Sequence, residues 1–152
     1  MFNIVLYQPE IPQNTGNIAR LCAVTGCALH LVGPMGFSLQ SRYLKRAGLD
    51  YWHLLQVYRY DSLQEFYAQQ GGEYYYVTTK GSRYYTDFSY QAGDYIIFGR
   101  ETAGLPSEVI AANEDRCMRI PMKGEVRCLN LANSVAIIVY EGLRKHMFRD
   151  MK

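Results

Sequence analysis

The amino-acid sequence predicts an α/β fold in which helices cover both faces of a mainly parallel β-sheet. The alternation of segments indicates this class, and the length and composition indicate one domain. Short apolar runs typical of strands alternate with segments of helical character along the chain. The length of 152 residues is that of one domain, and 49% hydrophobic residues supply enough apolar material for its core. We therefore predict a single domain over residues 1–152.

The first half of the chain contains three predicted strands, each followed by a predicted helix. The strands are the apolar and aromatic runs at residues 3–7, 28–32 and 55–58. The helices are expected at residues 14–25, 41–47 and 61–68, with Asn14 and Asp61 as N-caps of the first and third. Gly26 follows the first helix and ends it.

The second half continues the same alternation. Strands are expected at residues 73–79, 94–98 and 117–120, and Pro106 stands where a short helix toward Ala112 begins. Residues 130–146 form a long predicted helix. Leu131, Val135, Ile138 and Gly142 recur at three- to four-residue spacing and form its packing face.

The charge balance identifies no class of partner. Sixteen Lys and Arg against fourteen Asp and Glu give a net charge of +2, too small to indicate a polyanion and too well mixed to indicate disorder. The first residues lack the basic segment and apolar run of a signal peptide, and no run approaches 18 apolar residues. We therefore expect a cytoplasmic protein without membrane association.

Cysteine and histidine spacing does not support a metal site. The three histidines are far apart, and the cysteines Cys22, Cys27, Cys117 and Cys128 contain no C-x-x-C pair. Their apolar neighbours predict reduced, mostly buried thiols. Seven of the fourteen tyrosines lie between positions 74 and 95, a density that fits strand and interface packing better than base stacking.

The loops that follow predicted strands are the places to seek a ligand, because ligands of parallel α/β sheets bind beyond the carboxyl ends of the strands. Common signatures are absent from them. There is no G-x-G-x-x-G, and the segment at residues 99–104 is followed by Leu-Pro rather than by the Lys and Ser or Thr of a P-loop. A G-x-S-x-G elbow is also missing, which disfavours acyl transfer.

Three loops nevertheless have chemical content. At a helix start, Asn14, Asn17 and Arg20 follow one another at spacings of three, so this turn is expected to hold a phosphate of RNA on one face. An ordinary cap with an exposed arginine is the alternative. In residues 98–106, Gly99 permits close backbone approach to a ligand. Glu101 either orders the neighbouring helix start by accepting from Asn side chains, shapes a pocket, or is a solvated loop acid.

The third loop runs from Ile120-Pro-Met to the start of the last helix. Asn130 and Asn133 lie within one turn among apolar residues, where amides destabilise the fold unless they are hydrogen-bonded. They are helix caps or parts of a recognition surface.

Together these loops match a known family. N-T-G-N-I-A-R at 14–20, F-G-R-E-T-A-G-L-P at 98–106, and I-P-M at 120–122 with C-L-N-L-A-N-S-V-A at 128–136 resemble the three ordered motifs of SPOUT-class RNA 2′-O-methyltransferases. The resemblance extends to P-M-G-F, R-A-G-L-D-Y and T-T-K-G and is nearest to the small stand-alone TrmL branch. It implies a SPOUT fold with a deep C-terminal trefoil knot, a homodimer, and no metal.

The resemblance also implies a reaction. The methyl donor would be S-adenosylmethionine, with S-adenosylhomocysteine as product, and the substrate would be tRNA. The acceptor would be the ribose 2′-OH of the wobble nucleotide, cytidine 34 or 5-carboxymethylaminomethyluridine 34, of leucine tRNAs. A catalytically silent RNA-binding dimer of the same fold, or an enzyme that methylates a base or another RNA, is the alternative.

Site residues follow from the resemblance by matching position. Residues near the cofactor would be Val77, Thr78, Gly99, Gly104, Ile120, Met122, Cys128, Leu129 and Asn133. Catalytic residues would be Asn14, Arg20, Glu101 and Asn130. RNA would be bound by Arg20, Arg42, Lys45, Arg46, Lys80 and Arg127, with Arg83 and Lys123 nearby.

The chemistry of two of these residues, Cys128 and Arg20, limits the role that the resemblance implies for them. Many relatives have Ser where this chain has Cys128, and a thiol is the weaker hydrogen-bonding group. Arg20 is the family's candidate base, yet a guanidinium stays protonated at neutral pH. We therefore expect Arg20 to clamp the ribose hydroxyl or its phosphate and to stabilise the developing alkoxide.

Overall fold

A seven-stranded parallel sheet forms the centre of the protein. The computed structural model describes residues 1–39, 42, 46 and 49–152. Within these ranges the strands are β1 (Asn3–Tyr7), β2 (Ala28–Val32), β3 (Val57–Tyr60), β4 (Tyr74–Val77), β5 (Arg83–Tyr84), β6 (Tyr95–Phe98) and β7 (Cys117–Arg119). Their order is β3-β2-β1-β6-β4-β7-β5, and each neighbouring pair is parallel. The predicted mainly parallel α/β class is confirmed.

Helices cover both faces of the sheet. They are α1 (Pro12–Thr25), α2 (Leu63–Gln69), α3 (Ser107–Ala112) and α4 (Leu131–Lys145), with short 3-10 helices at Leu49–Leu54, Tyr85–Asp87 and Glu114–Arg116. In β1, Ile4 and Leu6 lie in one core cluster with residues of α1 and α4. Val5, which points the other way, lies in a second cluster with residues of α2 and α3.

Close packing explains one glycine of the last helix. A Cβ on Gly142 would lie 2.7 Å from the ring of Phe2, so α4 approaches the start of β1 only because this position has no side chain. Val135 and Ile138 are fully buried on the same face, and Leu131 is partly buried against it, as the sequence predicts.

The predicted start of the first helix is wrong. Pro12 begins α1, Ile11 is its N-cap, and Asn14 is a buried residue of the first turn, only 5% exposed. Proline fits this position because the first helical N–H has no partner within the helix.

Two further boundaries differ from prediction, and two other elements need separate mention. The third strand is Val57–Tyr60 rather than 55–58, and Ser62 rather than Asp61 caps α2, accepting from the Glu65 N–H at 3.1 Å. The short strand β5 was not predicted. The helix expected at 41–47 lies largely outside the described residues, of which 42 and 46 are helical and exposed.

The strand order determines where the loops meet. Strands β1, β6, β4 and β7 are consecutive neighbours, so the loops at their carboxyl ends lie side by side at one edge of the sheet. These are the loops in which the sequence placed the three motifs. The trefoil knot stays a prediction.

Candidate active site

A cavity of about 600 Å³ opens where these four loops meet. Its wall contains most of the residues that the sequence assigned to the site. From the catalytic and cofactor sets these are Asn14, Val77, Thr78, Gly99, Glu101, Gly104, Ile120, Met122, Cys128, Leu129 and Asn130, and from the RNA set Lys80 and Arg127. The three separated motifs therefore converge on one cavity.

The loop after β6 can form only because of Gly99. A Cβ at this position would lie 2.2 Å from the carbonyl carbon of Gly104, far inside contact distance. Arg100 and Gly104 exchange backbone hydrogen bonds of 3.1 and 2.9 Å, which closes the loop on itself. Gly104 adopts a φ of 67°, a conformation that favours glycine. The loop is thereby tightly folded beside the strand end.

Glu101 organises the start of α1. Its carboxylate accepts hydrogen bonds from the backbone N–H groups of Glu10 at 2.8 Å and Ile11 at 3.0 Å. The side-chain amide of Asn14 also donates to it, at 3.4 Å. This confirms the hypothesis that Glu101 orders the helix start. From a loop 90 residues away it accepts from the N–H of the N-cap residue Ile11, which is the contact that a Glu of the first turn makes in a capping box.

Asn130 joins the third loop to the first. Its side-chain NH₂ donates to Asn14 Oδ1 at 2.9 Å, and its Oδ1 accepts from the Asn133 N–H at 3.2 Å as the N-cap of α4. Asn130, Asn14 and Glu101 thus form a continuous chain of side-chain hydrogen bonds. Asn133 takes part only through its backbone, and the structure does not place it in the cavity wall.

Glu10 and Thr102 form a second link that the sequence did not reveal. Glu10 Oε1 accepts from the Thr102 hydroxyl at 2.8 Å and from its backbone N–H at 3.2 Å. Hydrogen bonding to the Thr102 hydroxyl, then to its N–H, lowers the pKa of the Glu10 carboxyl. The partners are 92 residues apart, so no local pattern could have paired them.

The cavity wall carries three cationic side chains, Lys80, Arg100 and Arg127. Arg100 was missed by the motif assignment although it stands inside F-G-R-E-T. Its Nε is buried and, among the described residues, has no hydrogen-bond partner. Arg100 adds a third positive charge to the cavity wall.

The loop at residues 121–129 forms the outer wall and is mostly exposed. Among described residues it contains one recorded backbone hydrogen bond, from the Val126 N–H to the Lys123 carbonyl at 3.5 Å. Its remaining backbone groups are available to a ligand. Cys128 is exposed here, whereas the other three cysteines are buried, which confirms the expectation of mostly buried thiols.

Arg20 does not line the cavity. It lies six positions after Asn14, and six helical steps turn its side chain about 120° from that of Asn14, so the expected common face of the two residues is wrong. Arg20 and Asn17 are exposed whereas Asn14 is buried. The Arg20 guanidinium carbon lies 5.3 Å from the centroid of the Tyr51 ring.

The other predicted RNA contacts lie elsewhere. Arg42 and Arg46 are exposed and not part of the cavity wall, and Lys45 is outside the described residues. The part of the chain that is described contains no group of three or more His, Cys, Asp or Glu placed to hold a metal ion. None of its helices has the length and apolar character needed to cross a bilayer.

Comparison with known proteins adds the family. A model of the SpoU rRNA Methylase family matches residues 1–140. A Geobacillus stearothermophilus relative, provisionally named a tRNA (cytidine(34)-2'-O)-methyltransferase, is 56% identical over 153 residues that cover 98% of each chain.

Two solved structures share the fold. One, described as "Structural insights into the 2-OH methylation of C/U34 on tRNA", has a TM-score of 0.93 and 44% identity and covers 98% of both chains. The other is an AdoMet-bound rRNA methyltransferase of Sinorhizobium meliloti, with a TM-score of 0.83 and 26% identity, covering 94% of this chain and 56% of that one. Because the family model spans most of the sequence and its motifs line a single cavity, the chain belongs to the SpoU methylase family of RNA methyltransferases.

Proposed function

We propose that this protein transfers a methyl group from S-adenosylmethionine to the ribose 2′-OH of nucleotide 34 of tRNA. The observation that carries the proposal is the convergence of three loops on one cavity, linked by the hydrogen bonds of Asn130, Asn14 and Glu101. The names of the relatives at 44 to 56% identity support the substrate.

The residues of the cavity fit S-adenosylmethionine. A volume of about 600 Å³ lies within the usual range for small-molecule sites. Val77, Ile120 and Leu129 provide apolar walls for an adenine ring. Gly99 lets the loop after β6 fold closely beside them. The positive charge of Arg100 in the cavity wall suits the carboxylate of the amino-acid portion. When bound, the cofactor supplies an electrophilic methyl group on a sulfonium sulfur.

The chain contributes mainly by alignment. Methyl transfer is an in-line displacement in which the bond from the ribose oxygen to the methyl carbon forms as the carbon–sulfur bond breaks. The hydroxyl proton leaves to water or to a neighbouring phosphate. Holding two reactants in line contributes roughly 7 to 11 kcal/mol in well-aligned systems. The hydrogen bonds of Glu101 to Glu10 and Ile11 keep the cavity loops in register for this step. The bond from the Thr102 hydroxyl to Glu10 adds to this effect.

Arg20 completes the site in this proposal from a second copy of the chain. On its own subunit it faces away from the cavity, so a homodimer that places the outer face of α1 over the neighbouring cavity would supply it. Its guanidinium would clamp the ribose hydroxyl or the adjoining phosphate and stabilise the developing alkoxide.

Leucine tRNAs are the proposed substrates, with cytidine or 5-carboxymethylaminomethyluridine at the wobble position, in the cytoplasm. Lys80 and Arg127 at the cavity mouth would bind phosphates, with Arg42, Lys45 and Arg46 extending the contact.

The test is incubation of the purified protein with methyl-labelled S-adenosylmethionine and unmodified total tRNA, followed by mapping of alkali-resistant linkages. Label at the ribose of nucleotide 34 of leucine tRNAs is the expected result. Label in another RNA or on a base would contradict the substrate assignment. Tight tRNA binding without any transfer would establish the silent RNA-binding dimer instead.

A further inference from the structure

Apart from Arg46, a proposed RNA contact, the R-A-G-L-D-Y segment at 46–51 has no role in the site described so far, yet its last residue contacts Arg20. The Arg20 guanidinium carbon stands 5.3 Å from the centroid of the Tyr51 ring, within the range of a cation–π interaction. Arg20 is exposed and Tyr51 is half-buried. No hydrogen bond or ion pair to this guanidinium is recorded among the described residues.

The kind of contact matters for what Arg20 can do. A carboxylate partner would occupy the guanidinium N–H groups, whereas an aromatic ring attracts the cation through its π face. The N–H donors then remain available for the bidentate recognition of phosphate or hydroxyl oxygens that arginine performs well. Contact with Tyr51 therefore restrains the guanidinium without using up its hydrogen-bonding capacity.

Tyr51 is well placed to act as a restraint. It belongs to the 3-10 helix Leu49–Leu54, which contacts α1. The next residue, Trp52, packs against the main core cluster, and its carbonyl accepts from the Leu55 N–H at 3.2 Å. The ring is thus held by a turn that is itself anchored in the core.

We propose that Tyr51 is a positioning residue for Arg20. Its ring fixes the guanidinium on the outer face of α1 so that the N–H edge meets the ribose hydroxyl or adjoining phosphate of the substrate RNA. This inference rests on the proposed function of Arg20 and adds to it a residue outside the cavity wall.

The kinetic test compares Tyr51→Leu with Tyr51→Phe in the full-length enzyme with saturating cofactor. Loss of an exposed cation–π contact corresponds to roughly a two- to fivefold decrease, expected in kcat with little change in the KM for tRNA. Tyr51→Phe keeps the ring face and should retain the wild-type kcat. Tyr84→Leu is the matched control, because Tyr84 makes the same kind of contact with Arg119 at 4.9 Å elsewhere and should leave kcat unchanged.

A second measurement is independent of turnover. In ¹⁵N-labelled protein, the Arg20 Nε–H proton should show an upfield ring-current shift that persists in Tyr51→Phe and disappears in Tyr51→Leu. A shift that is insensitive to Tyr51→Leu overturns the proposal, as does a Phe variant whose kcat falls as far as that of the Leu variant.

The outcomes of these experiments also distinguish a failure of this inference from a failure of the proposed function. If Tyr51→Leu removes the shift but kcat is unchanged, the positioning role is wrong while the methyltransferase assignment stands. If Arg20→Ala itself retains full kcat, the role given to Arg20 is wrong and the inference fails with it. In the double variant Tyr51→Leu/Arg20→Ala, the loss should equal that of Arg20→Ala alone, because Tyr51 acts through Arg20.

Discussion

Two polar groups, Glu101 in the loop after β6 and His30 in the sheet, differ in their surroundings. Glu101 lies in the cavity wall at the carboxyl edge and accepts from two backbone N–H groups and one amide. His30, in β2, is only 2% exposed. Its Nε2–H donates to Asn3 Oδ1 at 3.1 Å, and its Nδ1 accepts from the Tyr60 hydroxyl at 2.9 Å.

The rings around His30 close it off from any ligand. Tyr58 and Tyr60 stack on the imidazole, and Phe66 and Tyr95 meet it edge-on. Burial lowers its pKa to about 4, so it is neutral at pH 7. Burial and a shifted pKa therefore do not identify the site in this protein. What distinguishes Glu101 is that its partners belong to a second loop facing the same cavity, which gives it a role in positioning.

The largest expected effect is at Gly99. Gly99→Ala would force a Cβ to 2.2 Å from the Gly104 backbone, so the loop that carries Glu101 must move. Displacement by about 1 Å can cost 10²-fold in rate, and here both cofactor binding and alignment are affected. We expect loss of calorimetrically measured S-adenosylmethionine binding and no detectable methyl transfer.

Gly71→Ala is the control for this substitution, because a Cβ there meets nothing within 4 Å. It should bind cofactor as the wild type does. Cofactor binding by Gly99→Ala at wild-type affinity would show that the close approach of Gly99 to the Gly104 backbone is not required for the cofactor site.

The second effect concerns His30 and pH. Its folded pKa of about 4 lies below the ordinary value of 6.5, so the unfolded state binds the proton more readily between these values. The stabilisation is complete above pH 6.5 and decreases as the pH falls. By pH 4 the free energy of unfolding should have decreased by about 3 kcal/mol from this group.

Urea unfolding at several pH values between 7 and 4 checks this. In His30→Phe the slope of stability against pH should be smaller by up to about 1.4 kcal/mol per pH unit. His53→Gln, which removes an exposed histidine, should retain the wild-type slope. If His30→Phe has the wild-type slope, the imidazole is not the desolvated group that the structure indicates.

The third prediction compares a substitution of Glu101 with a substitution of His30. Glu101→Gln presents an NH₂ group among donors, which leaves a backbone N–H of the helix start unpaired, and this costs about 1 to 3 kcal/mol. His30→Phe leaves the Tyr60 hydroxyl without its partner and costs a similar amount. Only Glu101→Gln should lower kcat/KM for tRNA, by roughly tenfold, since only it loosens a cavity loop.

The free energy of unfolding and the kcat/KM for tRNA of both variants, measured at pH 7.5, test this comparison. An equal decrease of kcat/KM in the two variants would show that loss of stability alone explains the kinetics. A Glu101→Gln enzyme with wild-type kinetics would show that the carboxylate is not needed to position the loop.

The sequence predicted the local features of the site but not the contacts between residues that are distant in the chain. Periodicity located β1, β2, α4 and the site loops, because those signals are local. The sequence could not give the order β1-β6-β4-β7, and so could not pair Glu10 with Thr102. Asn14 was assigned as a cap for the same reason. Local rules expect a polar residue at a helix start, whereas a distant Glu101 accepts from the N–H groups there.

Of the catalytic and cofactor residues assigned from the family resemblance, most line the cavity, although Arg20 and Asn133 do not. Gly99, Ile120 and Leu129 were assigned by matching motifs, and all three line the cavity. The common face of Asn14 and Arg20 was inferred from three-residue steps, which drift by about 60° each on an α-helix. Two such steps place the Asn14 and Arg20 side chains about 120° apart, and Asn14 is buried whereas Arg20 is exposed.

The smallest effect is expected at the cationic mouth of the cavity, where Lys80 and Arg127 lie beside the ordered loops. Each phosphate contact contributes about 0.7 to 0.9 to the slope of log affinity against log salt, so Lys80→Ala and Arg127→Ala should each reduce the slope for tRNA by about that amount. The exposed Lys152, outside the cavity wall, provides the control Lys152→Ala, which should keep the wild-type slope. Because this charge effect does not depend on the hydrogen bonds of Glu101, the Lys80 and Arg127 effects should be the same in a Glu101→Gln background. If Glu101→Gln instead abolishes them, the loop that Glu101 holds also positions the RNA contacts, and the cavity and its mouth must be treated as one unit.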